Sequence, residues 1–396
     1  MALSIAIIVV LGIIAHQLFS RLRLPGFLGV LFLGMIIGPY GGDWIDDSIL
    51  SVSADLRSIA LIIILLRAGL GLHRQTLKMV GLPAIRLGFI PVLMEGFAIL
   101  LFASWLLGIS RIEAGMLGFI IAAVSPAVIV PKMLHYIETG RGTDKGIPTM
   151  ILAGASLDDV VAITIFSAFA GWFAGNEINI AAGVLLIPLS VILGVLVGLV
   201  TAIILLFLFK KFSIRNTKKI MLIIAGGILL TSLESLVKHI FPIASLLGVM
   251  VVGFIIYEKR PALGKTLSVK FSKIWVFAEI MLFFLVGAEV NVLLAADVGL
   301  AGLLIIAVGL LARSAGVLLS LQNTNFTPRE KGFCIIAYSP KATVQAAIAS
   351  VPLALGAPAG EIILALAVVS VVITAPLGSI AINMMGNRFL KGKGIE

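Results

Sequence analysis

Apolar residues along this chain fall into long, nearly unbroken runs separated by short polar or charged breaks. They show neither the strict alternation of a half-buried strand nor the one-sided repeat of a soluble helix. Runs of this length match a helix crossing a hydrocarbon core about 30 Å thick. They predict spans over residues 2–20, 25–39, 54–72, 82–107, 112–134, 146–170, 181–209, 220–237, 242–257, 274–293, 298–320, 331–354 and 358–385. The expected fold class is therefore all-α, a polytopic membrane protein of about 13 transmembrane helices.

Composition agrees. The chain has 396 residues, 60% hydrophobic and 12% charged, with a mean hydropathy of +1.20. So few polar side chains cannot cover a water-soluble globule of this size, which excludes an ordinary soluble enzyme. The loops are too short to hold a folded extramembrane domain. Leu3 to Phe19 has no charged segment before it and is followed by Arg21 and Arg23, the reverse of a secretory signal, so it reads as a retained first span. The single cysteine, Cys334, allows no internal disulfide and reads as a packing residue.

Charge then orients the chain. Its net charge of +10 could suggest a nucleic-acid partner, yet there is no basic domain. Instead 22 of the 29 Lys and Arg residues cluster in every second connection, from Arg21/Arg23 to Arg388/Lys391/Lys393. The opposite connections hold Arg111 and Lys238, with Asp43, Asp46 and Asp47 after the second run. The positive-inside rule places the N-terminus outside and the C-terminus inside, which requires an odd number of spans. The sequon Asn325-Phe-Thr327 then lies inside and is expected to stay unmodified.

Two Ser-Pro breaks fall within predicted spans. Ile121-Ala-Ala-Val-Ser125-Pro126 resembles Ile335-Ile-Ala-Tyr-Ser339-Pro340, 214 residues later, and the two spans run in opposite directions. An inverted repeat with interrupted helices at matching positions points to the midplane site of a secondary transporter. Proline frees carbonyls that are tolerated in a membrane only where they face protein or water. Ser125, Pro126, Ser339, Pro340 and Thr343 are thus expected to line a site that offers helix ends to a cation and to carboxylates.

Several charges stand where a membrane makes them expensive, at about 2.5 to 3.5 kcal/mol each on insertion scales. Asp158 and Asp159 are adjacent near the middle of the sixth span and point about 100° apart, so they cannot share one role. Lys341 follows the second break and needs a counter-charge, with Asp158 or Asp159 the obvious partner. Glu95 maps through the repeat to position 309, one turn from Arg313, so this pair is expected to meet as an ion pair. Arg57, Arg67 and Arg86 read as span-end residues that snorkel. Glu234, Glu279 and Glu289 are intermediate cases, and His16 reads as a packed histidine.

Together the Asp158-Asp159 pair after Gly-Ala-Ser-Leu, the paired Ser-Pro breaks, Lys341-Ala-Thr-Val-Gln-Ala and the Glu95/Arg313 pair resemble the cation:proton antiporter superfamily. The likeness is to its sodium/proton exchangers with an Asp-Asp motif, including relatives of the animal sodium/hydrogen antiporters of that branch. The resemblance implies a homodimer with two crossed broken helices in a core domain that moves like an elevator. It implies scaffold helices for dimerisation in 1–80, a first core repeat in 81–175, a linker helix and further scaffold in 176–297, a second core repeat in 298–388 and a basic cytoplasmic tail in 389–396. It implies Asp159 as the principal ligand of sodium and of the proton, Asp158 as a further sodium ligand paired with Lys341, and Glu95 with Arg313 as a stabilising core pair. The setting it implies is the plasma (inner) membrane of a prokaryote.

The expected function is a secondary active antiporter exchanging sodium or lithium for protons, with no cofactor and no nucleic acid. A carboxylate that holds either a proton or a cation couples the two flows by competition. A lysine that also released its proton would make exchange electrogenic, as an amine beside a helix break can be desolvated in one state and hydrated in another. The Glu95/Arg313 pair instead marks the electroneutral branch, so the residues leave the stoichiometry open. The alternatives are a potassium/proton antiporter, a channel-like cation transporter and, remotely, an intramembrane aspartyl protease. The last needs acids on two facing helices, which adjacent Asp158 and Asp159 fit badly.

Overall fold

The computed structural model describes residues 2–22, 24–71, 74–175, 180–237, 243–290 and 299–390. Arg23, Lys238, Lys391 and Lys393, used above as charge markers, and most of the proposed tail 389–396 lie outside them. The described residues form helices α1 Ala2–Arg21, α2 Gly26–Ile37, α3 Asp47–Leu50, α4 Ser53–Gly71, α5 Arg74–Leu107, α6 Arg111–Ala122, α7 Pro126–Glu138, α8 Ile147–Phe173 and α9 Ile180–Lys211. There follow α10 Asn216–Val237, α11 Ser245–Lys259, α12 Pro261–Ala288, α13 Gly299–Ser320, α14 Pro328–Ala337, α15 Thr343–Ile348, α16 Val351–Ala354 and α17 Gly360–Phe389.

Each segment read from the sequence as a span is helical over most of its described residues, and eight of the described helices are long and apolar enough to cross a membrane. The departures have local causes. Residues 112–134 and 331–354 are interrupted at their Ser-Pro pairs, and α5 bends at Gly81, whose φ of +55° suits a residue without a Cβ. The basic stretch Lys265 to Lys273, read as a loop, belongs instead to α12. That helix starts at Pro261, where a missing N–H costs nothing, and carries its lysines on an amphipathic first half.

The helices pack in two groups. In one, α5 lies against α6, α8 and α13, with α7, α14 and α17 around them; in the other, α2, α4, α9, α10, α11 and α12 pack together with α1. The groups meet where α8 touches α9 and α11, and where α15 touches α4 and α12. The second group carries one buried charge that corrects the snorkelling reading. Arg57 is 3% exposed and its Nη1 donates at 2.8 Å to Glu289, the residue that caps the end of α12. An arginine buried against a carboxylate is held by that partner, not by the membrane surface. His16, as expected, packs: its ring lies where a Cβ on Gly26 would sit.

The first group pairs two similar helix starts. The broken helices each begin with a capping box, Ser110/Glu113 on α6 and Thr327/Glu330 on α14. Each capping glutamate then reaches the start of a long helix in the other repeat. Glu113 Oε1 accepts from the Ala359 N–H at the head of α17 at 2.8 Å, and Glu330 Oε2 accepts from Lys145 Nζ, just before α8, at 2.7 Å.

Only the second of these contacts is ionic. Burial pushes the Glu330 carboxyl up, but its bonds from Lys145 and Thr327 outweigh that and hold it below the usual carboxylate range. A depressed carboxylate contributes stability above its unfolded pKa and loses it as pH falls through the folded value. Lys145→Met is therefore expected to lower the melting temperature at neutral pH by the equivalent of less than about 1 kcal/mol, since Lys145 is partly exposed. That gap should close in acid; a gap independent of pH would show that the ion pair is not its source.

Candidate ion-binding site

The charged residues converge from four elements at the level of the two breaks. Asp158 and Asp159 project from α8, Glu95 from α5, Arg313 from α13, and Lys341 from the second interruption. All five are buried, none more than 5% exposed. Close approach is needed to assemble them: at Gly154, one turn before Asp158, an added Cβ would collide with the Tyr338 hydroxyl and with Leu87 on α5. Gly309, the position to which the repeat maps Glu95, lies against that glutamate's side chain.

Arg313 is the hub. Its Nε donates to Glu95 Oε2 at 2.5 Å, its Nη1 to Asp158 Oδ1 at 3.0 Å and its Nη2 to Asp158 Oδ2 at 3.0 Å. The same Nη2 reaches the Ala122 carbonyl, and the guanidinium lies over the Tyr338 ring at 5.7 Å. Lys341 Nζ donates to Glu95 Oε2 at 2.7 Å and to the Ala122 carbonyl at 3.3 Å. The expected Glu95/Arg313 pair is therefore present, but the pairing of Lys341 with Asp158 or Asp159 is corrected. Asp158 is already occupied by a two-pronged guanidinium, which fits a carboxylate better than an ammonium does, and the amine turns to Glu95.

The two breaks touch. The Ser125 N–H donates to the Pro340 carbonyl at 2.8 Å, the Val124 N–H to Asp158 Oδ2 at 2.9 Å, and the Lys341 N–H to Thr374 Oγ1 at 2.9 Å. Pro126 opens α7 at its first position, and Ser339 turns its hydroxyl back to the Ile336 carbonyl. Around these breaks buried oxygens stand without a partner: Asp159 Oδ1, Ser125 Oγ, Thr343 Oγ1, Tyr338 Oη, Glu95 Oε1 and Gln345 Oε1. Buried polar atoms are normally satisfied, so a cluster of orphaned oxygens marks a place where something polar or charged belongs.

Charge counting sharpens the point. Glu95 and Asp158 are each bonded to Arg313 or Lys341, so two acids balance two bases, and Asp159 is left as an acid without an ion-pair partner among the described residues. Next to it, Val160 begins a stripe on α8 that lines a narrow cleft between the two helix groups. Thr164 and Ser167 continue the stripe, and Leu65, Glu234 and Ser245 face it. Sequence reasoning named every member of the charged network. It missed Gln345, whose amide bonds the first break, and Tyr338, which stacks on Arg313, although both stand within the quoted second-break motif.

A family model described as sodium/hydrogen exchanger, transmembrane, matches residues 5–388, nearly the whole chain. The chain belongs to the sodium/hydrogen exchanger family. It is a transporter, not an enzyme. Over 391 residues it is 34% identical to human sodium/hydrogen exchanger 9B2, covering 93% of this chain and 70% of the human protein. It is 32% identical to human sodium/hydrogen exchanger 9B1 over 384 residues, covering 93% and 73%. Its fold matches the sodium proton antiporter MjNhaP1 from Methanocaldococcus jannaschii at pH 8, with a TM-score of 0.81, 21% identity and 97% of both chains covered.

Proposed function

We propose that this multi-pass protein is a secondary active antiporter that exchanges sodium or lithium for protons at Asp159, as a homodimer in a prokaryotic plasma membrane. The carrying observation is the charge balance: among the described residues Asp159 is the one acid of the site left without a cationic partner, and its Oδ1 stands among unpartnered oxygens at the breaks. A dehydrated carboxylate of this kind is neutralised either by a proton or by a small cation, and mutual exclusion couples the flows without a cofactor. Asp158, Ser125, Thr343 and the break at Ser339-Pro340 supply further oxygen ligands near it. Hard oxygen donors suit an alkali cation.

The packing supports the division of labour read from the sequence. The group built on α5, α8, α13 and α17 holds the site and would move as the elevator-like core, against a scaffold built on α2, α4, α11 and α12 that forms the dimer. The cleft beside Val160, between the two groups, would be an approach to Asp159. Some thirteen spans with the N-terminus outside would put the Lys145–Glu330 contact in the cytoplasm. A protease reading has no support in the geometry, since Asp158 is locked to Arg313 and cannot share a water with Asp159. A potassium/proton antiporter is the reading that remains to be separated by experiment. Proton movement in proteoliposomes under imposed sodium, lithium or potassium gradients does this: absence of proton flux with all three would refute antiport.

Lys341 sets the stoichiometry. Because its amine neutralises Glu95 and not Asp158, a cation arriving at the Asp pair does not displace it directly, which favours one proton per cation. A sodium jump on a supported membrane is expected to give no sustained current in wild type, and Lys341→Gln should lower stability without changing electroneutrality. A wild-type current that disappears in Lys341→Gln would show that the lysine proton is itself carried.

A further inference from the structure

A helix leaves its last four carbonyls without intrahelical partners, and the first broken helix ends in this way at the heart of the site. All four have a donor within reach, and every donor comes from residues 313–345. Gln345 shares its two Nε2 hydrogens among the carbonyls of Ile120 at 2.9 Å, Ile121 at 3.2 Å and Ala123 at 2.7 Å. The fourth, Ala122, accepts from Arg313 and Lys341. Three surrounding acceptors fix the amide orientation, and Gln345 is 1% exposed.

This matters for coupling because carbonyls and carboxylates hold cations differently. A carboxylate gives up its cation when it is protonated, whereas a carbonyl does not titrate and continues to ligate. Rings of carbonyls also favour larger, more weakly hydrated ions. A free cluster of helix-end carbonyls, one residue from the Val124 N–H that touches Asp158, would give the cation a foothold that survives protonation of the site. We propose that Gln345 is a positioning and specificity-determining residue: by tying off the carbonyls of Ile120, Ile121 and Ala123 it leaves the titrating carboxylates in command of the cation. The inference rests on the reading of Asp159 as the exchange site.

The charged and titratable groups that face this end of the helix are Asp158 and Asp159 from α8, Glu95 from α5, Arg313 from α13, and Tyr338 and Lys341 from the second break. Gln345 bonds none of them and does not titrate, so its replacement leaves the charge count unchanged. Sodium, lithium and potassium exchange is measured in proteoliposomes against pH for wild type, Gln345→Met, which keeps the length but not the donor, and Gln345→Asn, which keeps the amide on a shorter arm. Wild-type apparent KM for sodium should rise steeply as pH falls. In Gln345→Met the rise should be shallower and the potassium-to-sodium ratio of kcat/KM should increase several-fold, with Gln345→Asn between the two.

A purely structural role would lower the rates of all three cations together and leave both the slope and the ratio as in wild type; that result overturns the proposal. Should Gln345→Met not fold, Gln345→Asn carries the same test, and wild-type slope and ratio there sink the idea equally. Absence of exchange in wild type would instead overturn the reading of the site on which the inference stands.

Discussion

Asp159→Asn is expected to reduce sodium-driven proton movement to the level of protein-free vesicles while the protein remains folded. Amide for carboxylate conserves volume and removes the carboxylate proposed to alternate between a proton and a cation. Since Asp159 has no ion-pair partner among the described residues, no opposite charge is stranded by the change, and the melting temperature should stay level or rise. Asp158→Asn is the informative contrast. Asp158 accepts the Arg313 guanidinium and the Val124 N–H, so its loss should lower stability as well as exchange. Sodium addition supplies a second measurement: a cation that binds the folded protein raises its melting temperature, and this shift should vanish in Asp159→Asn. Retained sodium-dependent proton flux in purified Asp159→Asn would refute the assignment.

The legible part of this protein was the part that lipid dictates. A membrane requires apolar side chains around each helix and an internal partner for each backbone group, so helical segments and their interruptions at Ser125-Pro126 and Ser339-Pro340 are written in one dimension. The same economy exposes Asp158, Asp159, Glu95, Arg313 and Lys341, because a charge within an apolar run is conspicuous. Depth along a helix also follows from sequence, which is why the repeat offset brought Glu95 to Arg313.

What sequence does not carry is direction around the helix axis. Depth placed Lys341 near both Asp158 and Glu95, and only packing decides that Arg313 fills Asp158 and leaves the amine to Glu95. The same holds for Arg57, whose partner Glu289 lies 232 positions away at the end of a helix whose facing side is invisible in one dimension. Charge density at Lys265 to Lys273 resembles a connection, whereas one face of α12 is enough to keep them in a helix. The capping boxes at Ser110/Glu113 and Thr327/Glu330 were readable as motifs. Their reach to Ala359 and Lys145 was not.

Arg313→Ala is expected to be the most destabilising single substitution in the site. It removes the donor shared by Glu95 and Asp158 and leaves both carboxylates buried, with Lys341 alone to compensate. Breaking a buried pair from one side typically costs about 3 to 5 kcal/mol, and here two acids lose a partner at once. Lys341→Met should cost less, because Glu95 keeps the Arg313 bond at 2.5 Å. Thermal melting across double-mutant cycles tests the wiring. Glu95→Gln with Arg313→Met, and Asp158→Asn with Arg313→Met, should each be less damaged than the sum of the singles, by about 0.5 to 3 kcal/mol for groups in one network. Lys341→Met with Asp158→Asn should couple more weakly than either, since no bond joins that lysine to that aspartate and only their charges and shared neighbours link them. A coupling between Lys341 and Asp158 as large as that between Arg313 and Asp158 would restore the pairing expected from the sequence and overturn the arrangement in which Arg313 is the hub.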